Sequence, residues 1–205
     1  MKPKNIILIG VVAVVLAAII YTFMGSQDQS AYSAQIEKER QERDAFMKSS
    51  PESPFAKQPE SYEGLKYFPA NIKYKITAAL ELVKERQPVV LSTSDGKEQS
   101  YLPYAYASFD LDGYNNTLLI LENMENGPQR GTLFLPFGDA TSAAETYGAG
   151  RYLDVVKTPG NNSITLDFNK AYNPYCAYND SYSCPFPPSE NLLRVAIRAG
   201  EKTYH

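Results

Sequence analysis

The spacing of hydrophobic residues changes along the chain and divides it into segments of different predicted structure. Residues 6–24 form an apolar run without a charged side chain. Between residues 30 and 47, one narrow stripe recurs at three- to four-residue spacing, which predicts a helix. The members of that stripe are Tyr32, Ile36, Arg40, Arg43 and Met47. We expect this helix to be a charged stalk or to lie on the edge of the following domain.

Beyond the helix, apolar residues occur in short runs, several of them alternating, which are typical of β-strands. Clusters of Gly, Pro and Asn separate these runs at near-regular spacing. This pattern predicts a mainly β fold, an antiparallel β-sandwich or barrel, preceded by the apolar segment and the charged helix. The predicted strands are residues 74–82, 88–94, 98–111, 116–123, 131–137, 151–156, 163–168 and 192–199.

The apolar run 6–24 predicts a membrane anchor, because a helix of that length spans roughly 28 Å, close to the hydrocarbon core of a bilayer. Lys2 and Lys4 precede it, which places the N-terminus in the cytoplasm. A cleaved signal peptide is the alternative, although its apolar region would be only about 7–15 residues long. We expect a single-pass cell-membrane protein whose domain lies outside the cytoplasm, in a bacterial periplasm or at the cell surface.

These segments predict four regions along the chain. They are a cytoplasmic tail (1–5), a transmembrane anchor (6–24), a helical stalk (25–50) and a β-rich extracytoplasmic domain (51–205).

The charged residues and the single histidine exclude several classes of function. The net charge is −3, and no basic cluster could follow a phosphate backbone, which argues against nucleic acid as a partner. The only histidine is the last residue, His205, so a Ser-His-Asp triad or a histidine-rich zinc site is not expected. We predict no metal site and no cofactor.

Carboxylates remain the candidates for catalysis, because two of them a few ångströms apart could act as acid and base on a glycosidic bond. The candidates are Asp139, Glu145 and Asp167. Each also has a structural interpretation. Asp167, for example, could form an ion pair with Arg151, for which Asp154 is the other possible partner.

The two cysteines, Cys176 and Cys184, flank a segment that resembles a turn. Outside the cytoplasm, such a pair predicts a disulfide, worth about 2–3 kcal/mol in the chain-entropy model. A metal site is the alternative, but the sequence offers too few further ligands.

Long motifs in the C-terminal half resemble a known family. They are FGDAT (137–141), ETYGAGRYLD (145–154), DFNKAYNPYCAYNDSYSCPFPPSEN (167–191) and IRAGEK (197–202), together with EGLKYFP (63–69). These stretches are similar to the bacterial and archaeal domain-of-unknown-function family 1684, over about residues 37–202. The family has no established activity, so the resemblance implies a shared domain and a shared surface but no catalytic roles. Candidate binding residues among the matching positions are Tyr147, Arg151, Asn169, Tyr172, Asn173, Tyr178 and Glu190.

The dense loops of residues 139–191 therefore predict a binding module of the cell envelope, which would hold a small polar ligand, a glycan or a protein. A carboxylate-dependent hydrolase acting on glycans or another envelope substrate is the alternative. A purely structural role is a third interpretation.

Overall fold

A computed structural model of the protein describes residues 27–157, 160 and 162–205. The predicted cytoplasmic tail and the predicted anchor at 6–24 lie outside these described residues. Among the described residues, no helix combines the length and the apolar character needed to cross a membrane.

The predicted charged helix is present and is longer than the sequence pattern indicated. Helix α1 covers residues 27–49 and stops before Pro51, since proline disfavours helical geometry at the preceding residue. The helix packs on the domain, because Tyr32, Ile36 and Met47 on its apolar side are buried. The Tyr32 hydroxyl donates a hydrogen bond of 2.6 Å to Asp167, which links α1 to the end of the last strand.

The domain is built on one antiparallel sheet of seven strands, so the mainly β antiparallel prediction is confirmed. The strands are β1 Lys75–Leu82, β2 Val89–Ser92, β3 Glu98–Leu111, β4 Tyr114–Asn123, β5 Leu133–Phe137, β6 Arg151–Val155 and β7 Ser163–Asp167. The order is β6-β5-β4-β3-β1-β7, and β2 also pairs with β3. Short 3-10 helices precede β1 at Pro59–Ser61 and Ile72–Tyr74, and others follow β7 at Phe168–Lys170, Tyr175–Ala177 and Ser189–Asn191.

The sheet curls as a half-barrel, which corrects the finer prediction of a sandwich or barrel. The edge strands β6 and β7 approach each other without forming a ladder. The free edge of β6 is used instead by a bridge between Tyr152 and Tyr172, whose backbone groups exchange hydrogen bonds of 2.8 and 3.0 Å. This bridge provides hydrogen-bond partners for some backbone groups at the outer edge of β6, although the sheet does not close into a barrel.

The predicted strand at 192–199 is not a strand. Its alternating residues Val195, Ile197 and Ala199 do face the main core, which explains why the sequence pattern indicated a strand. Its backbone partners include loops and side chains instead of a neighbouring strand. The Ala140 amide, for example, donates to the Val195 carbonyl at 3.0 Å.

The main core lies between one face of the sheet and this C-terminal segment. Its fully buried members include Leu118, Ile120, Leu135, Leu166, Phe168 and Ile197. Burying each such side chain contributes about 1.5–3 kcal/mol, so the C-terminal segment belongs to the stability of the domain.

A turn at Asp112 and Gly113 closes the β3–β4 hairpin. Both residues have positive φ, 51° and 81° respectively. Two successive positive φ values match the right-handed twist of paired strands, and glycine adopts them without steric cost.

Candidate functional site

A cavity of about 130 Å³ lies between α1 and the domain. A water molecule occupies about 30 Å³ in the liquid, so this space could hold roughly four waters or a ligand of similar size. The residues that line it are Ile36, Glu39, Arg40, Arg43, Tyr67, Asn169, Lys170, Ala171 and Glu201. The cavity therefore combines buried apolar side chains with an unusual number of charges.

Helix α1 supplies the arginines of this cavity. Ile36, Arg40 and Arg43 follow one another at four- and three-residue spacing, so they lie on the same side of the helix. That side is turned toward the domain, where Ile36 is 1% exposed. The helix thus brings two arginines to a surface that would ordinarily be apolar.

Arg43 is paired with a carboxylate of the domain. Its Nε donates to Glu201 Oε1 at 2.6 Å, and its guanidinium lies over the ring of Tyr172 at 4.6 Å. Glu201 itself is 1% exposed. Burial alone lowers the pKa of Arg43, but the Glu201 carboxylate more than offsets this, so the pKa is raised above its usual value.

The second oxygen of Glu201 is held by the loop after β7. It accepts a hydrogen bond of 2.9 Å from the backbone N–H of Asn173 and another from the Tyr178 hydroxyl. Burial and the neighbouring Glu201 carboxylate both raise the pKa of Tyr178, so this hydroxyl stays protonated as a donor. Glu201 therefore has partners on both oxygens and a fixed orientation.

Arg40 has no such carboxylate among the described residues. Its guanidinium lies over the ring of Tyr67, 4.5 Å from the centroid. Burial lowers the pKa of Arg40, which is the expected effect when a cation loses water without gaining enough negative charge. Tyr67 stays protonated, since burial and then the Glu201 carboxylate raise its pKa.

Four buried donor atoms at this cavity lack a hydrogen-bond partner in the described part of the chain. They are Nε and Nη2 of Arg40, Nη2 of Arg43 and the Tyr67 hydroxyl. Leaving a buried donor unsatisfied costs about 1–3 kcal/mol, so the group of four requires an explanation.

At the margin of the cavity, Lys170 pairs with Glu39 of α1 at 2.8 Å. Burial alone raises the pKa of Glu39, but hydrogen bonds led by that from Lys170 lower it overall. With Arg43 paired to Glu201 and Lys170 to Glu39, Arg40 is the uncompensated cation among the lining residues.

Arg151, predicted as a binding residue, is part of the interior of the domain. Its Nη2 donates to Asp139 Oδ2 at 2.8 Å, and both side chains are 1% exposed. The expected ion pair with Asp154 or Asp167 is wrong, because Asp139 is the partner. Arg151 also donates to the carbonyls of Ile197, Ala199 and Glu201, so it braces the C-terminal segment.

No two of the three predicted catalytic carboxylates share a hydrogen-bond partner. Asp139 binds Arg151 and the amides of Thr141 and Ile197. Glu145 pairs with Arg198 at the surface at 2.9 Å. The Asp167 carboxylate, near α1, accepts hydrogen bonds from Tyr32 and Asn169. The geometry does not assemble them as an acid/base pair.

The other predicted binding residues divide between the cavity and its surroundings. Asn169 lines the cavity. Tyr172 contacts Arg43, and Asn173 and Tyr178 donate hydrogen bonds to Glu201, so these three residues position groups that line the cavity. Two lie elsewhere: Tyr147 contacts Cys176, and Glu190 is exposed.

The sequence-based site list missed Arg40, Arg43, Tyr67 and Glu201. Two signals for them were present. Both arginines belong to the apolar stripe of α1, and Tyr67 and Glu201 lie in the motifs EGLKYFP and IRAGEK.

Cys176 and Cys184 are free, buried thiols that lie together in the structure. The Cys176 amide is 3.1 Å from the Cys184 sulfur, and the Tyr147 hydroxyl is 3.9 Å from the Cys176 sulfur. A hydrogen bond from Cys184 lowers the pKa of Cys176 to about 6, against the effect of burial. The predicted disulfide is not formed here and stays a prediction for the oxidised protein.

The fold and the site together define a β-rich domain whose packed helix covers a small, positively charged cavity. The chain belongs to the family described as "Protein of unknown function (DUF1684)", which it matches over residues 60–202. The match contains Tyr67, Lys170 and Glu201, whereas Arg40 and Arg43 precede it. The predicted family resemblance is therefore confirmed.

The chain is also similar to an uncharacterized protein of Haloarcula marismortui whose structure was determined by NMR in solution. The two are 36% identical with a TM-score of 0.65, over 87% of this chain and 99% of the other. No curated protein matches. These similarities establish the family and bring no ligand or reaction with them.

Proposed function

We propose that this protein is a membrane-anchored binding module of the cell envelope and that a small anion occupies the cavity between α1 and the domain. The observation that carries the proposal is the group of four unpartnered donors on Arg40, Arg43 and Tyr67. All four belong to residues that line one cavity.

Burying Nε and Nη2 of Arg40 without an acceptor among the described residues is costly, and burial lowers the pKa of this cation. A hydrogen bond to a charged group contributes about 1.5–3 kcal/mol, so an anion that accepts from Arg40 would offset much of that cost. A neutral ligand could accept from the same donors but would leave the charge of Arg40 uncompensated.

The envelope location is supported by the sequence. The apolar run 6–24 follows Lys2 and Lys4 and precedes α1, so the domain would lie outside the cytoplasm. Among the predicted partners, the cavity favours a small polar ligand over a glycan or a protein, because its volume is only about 130 Å³. The separate hydrogen bonding of Asp139, Glu145 and Asp167 gives the hydrolase alternative no support.

The test is thermal unfolding of the full-length protein in non-ionic detergent at constant ionic strength. Formate, acetate, sulfate and phosphate are each compared with chloride. A ligand at one hundred times its dissociation constant stabilises the folded state by about 2.7 kcal/mol. We expect at least one of these anions to raise the melting temperature of the wild type.

The variants decide whether the effect comes from the cavity. Arg40→Gln removes the unpaired cation and should abolish the stabilisation. Arg130→Gln is the matched control, since Arg130 is exposed and its guanidinium, among the described residues, donates only to Asn126. If no anion stabilises the wild type beyond chloride, or if both variants respond alike, the proposal is wrong.

A further inference from the structure

We infer that the anion held in the cavity is a small monocarboxylate whose short apolar part contacts Ile36 and Ala171. This inference rests on the proposed function and adds the chemical class of the ligand.

The unpartnered atoms on Arg40 favour a carboxylate as the ligand. Nε and Nη2 lie on one edge of the guanidinium and donate in parallel, so together they match the two oxygens of a carboxylate. The ring of Tyr67, at 4.5 Å, restrains the plane of that guanidinium. The edge is therefore oriented before the ligand arrives, which reduces the entropy lost on binding.

The charges of the residues that line the cavity favour a monoanion. Arg43 is paired with Glu201 at 2.6 Å and Lys170 with Glu39 at 2.8 Å, so Arg40 contributes the one uncompensated positive charge. A monoanion neutralises it. A phosphate dianion would place an additional negative charge beside Glu201, and the burial of Glu201 makes that repulsion expensive.

The size of the cavity and its apolar lining favour a ligand with a short aliphatic tail. Ile36 and Ala171, each 1% exposed, form an apolar part of the lining. The volume of about 130 Å³ suits acetate, propionate or butyrate, which are comparable in size to a few water molecules. A tail that becomes buried should strengthen binding by about fourfold for each added methylene.

The affinity of so small a ligand is bounded. The ligand-efficiency ceiling for the four heavy atoms of acetate limits its dissociation constant to no tighter than about 40 µM. Titrations must therefore reach millimolar concentrations, with chloride replaced so that ionic strength stays constant.

The experiment is isothermal titration of the full-length protein in non-ionic detergent with formate, acetate, propionate and butyrate. Phosphate and sulfate form a second series. We expect every carboxylate that binds to have a higher affinity than phosphate or sulfate. Among the carboxylates, the affinity should rise from formate to propionate. The rise should stop when the tail no longer fits.

Two variants test the contacts. Arg40→Lys keeps a cation but loses the parallel pair of donors, so carboxylate affinity should fall by at least about tenfold. Tyr67→Phe keeps the stacked ring and loses one donor, with an expected loss of about two- to tenfold. Arg130→Lys and Tyr114→Phe are matched controls at exposed positions and should bind as the wild type does. If Arg40→Lys does not fold, Tyr67→Phe carries the test.

The outcomes separate this inference from the proposed function. If phosphate or sulfate binds more tightly than every carboxylate, the monocarboxylate inference is wrong while anion binding in the cavity stands. If no anion binds, both fail. If a folded Arg40→Lys or Tyr67→Phe variant binds carboxylates as tightly as the wild type, the assignment to this cavity is overturned.

Discussion

Two arginines that turn toward the interior of this protein differ in how far the chain itself satisfies their hydrogen-bond donors. Arg151 is 1% exposed and donates to Asp139 and to three carbonyls of the C-terminal segment, so within the described part of the chain only its Nε lacks a partner. Arg40 also turns inward, but it finds an aromatic ring and a cavity, and no hydrogen-bond acceptor among the described residues. The difference indicates that the Arg151 site holds the fold together, whereas the Arg40 site is available to a ligand.

The largest expected effect is a loss of stability when Arg151 is replaced. Arg151→Gln leaves Asp139 buried without its cation and should destabilise the domain by about 3–5 kcal/mol, since removing one partner of a buried ion pair leaves an uncompensated charge. Thermal unfolding of the full-length protein measures this, as a fall in melting temperature of at least about 6 °C.

The comparison variant is Arg40→Gln, which removes a cation that has no ion-pair partner in the described part of the chain. Its cost should stay below about 1 kcal/mol in the absence of ligand, because little is lost besides the contact with Tyr67. Equal destabilisation by the two variants would contradict the distinction between a structural and a ligand-binding arginine.

A smaller effect on stability and a change in binding are expected for Glu201→Gln. This variant removes the carboxylate that pairs with Arg43 at 2.6 Å, so it should destabilise the domain by about 2–4 kcal/mol. It also removes one negative charge and so raises the net charge of the cavity by one. Phosphate should therefore bind more tightly relative to acetate. Titration with both anions measures that ratio, and an unchanged ratio would mean that Glu201 does not set the charge of the site.

The smallest effect involves the thiol pair and leaves the cavity unchanged. In the reduced protein, the thiolate absorbance near 240 nm should titrate with a midpoint at about pH 6, since the hydrogen bond from Cys184 stabilises the Cys176 thiolate. Cys184→Ala removes that donor, so the midpoint should move to higher pH. Cys176→Ser should abolish the low-pH transition, and its persistence in that variant would assign it to another group.

The sequence pattern predicted the charged helix and most of the strands because each buries one side at a regular period. It failed at 192–199, where Val195, Ile197 and Ala199 alternate into the core as they would in a strand. The backbone of this segment bonds to loops and to the side chains of Arg151 and Asp139. Periodicity reports which face is buried and does not report what satisfies the backbone.

The ion-pair partner of Arg151 shows a second limit of prediction from sequence. Residues 151 and 154 are three apart on β6, so their side chains point to opposite faces of the sheet, and Asp154 is exposed while Arg151 is buried. Asp139 reaches Arg151 from a loop, which no local spacing could have indicated.

The cavity could be predicted only in part. The stripe predicted for α1 already contained Arg40 and Arg43, but no site was predicted from them. That they meet Tyr67 and Glu201 depends on the packing of a helix on distant segments of the chain. The absence of a partner for Arg40 is a property of the folded arrangement and has no counterpart in a sequence pattern.

The central claim is that Arg40 binds an anion through an edge that the described part of the chain leaves unpaired, while Arg151 does not. Side-chain ¹⁵N NMR of the arginine Nε–H groups tests it directly, with the Arg40 signal assigned through Arg40→Lys. On titration with propionate, the account predicts that the Arg40 Nε–H signal shifts and saturates while that of Arg151 stays in place. An Arg40 signal that does not move up to saturating millimolar propionate, or an equal shift of Arg151, would contradict it.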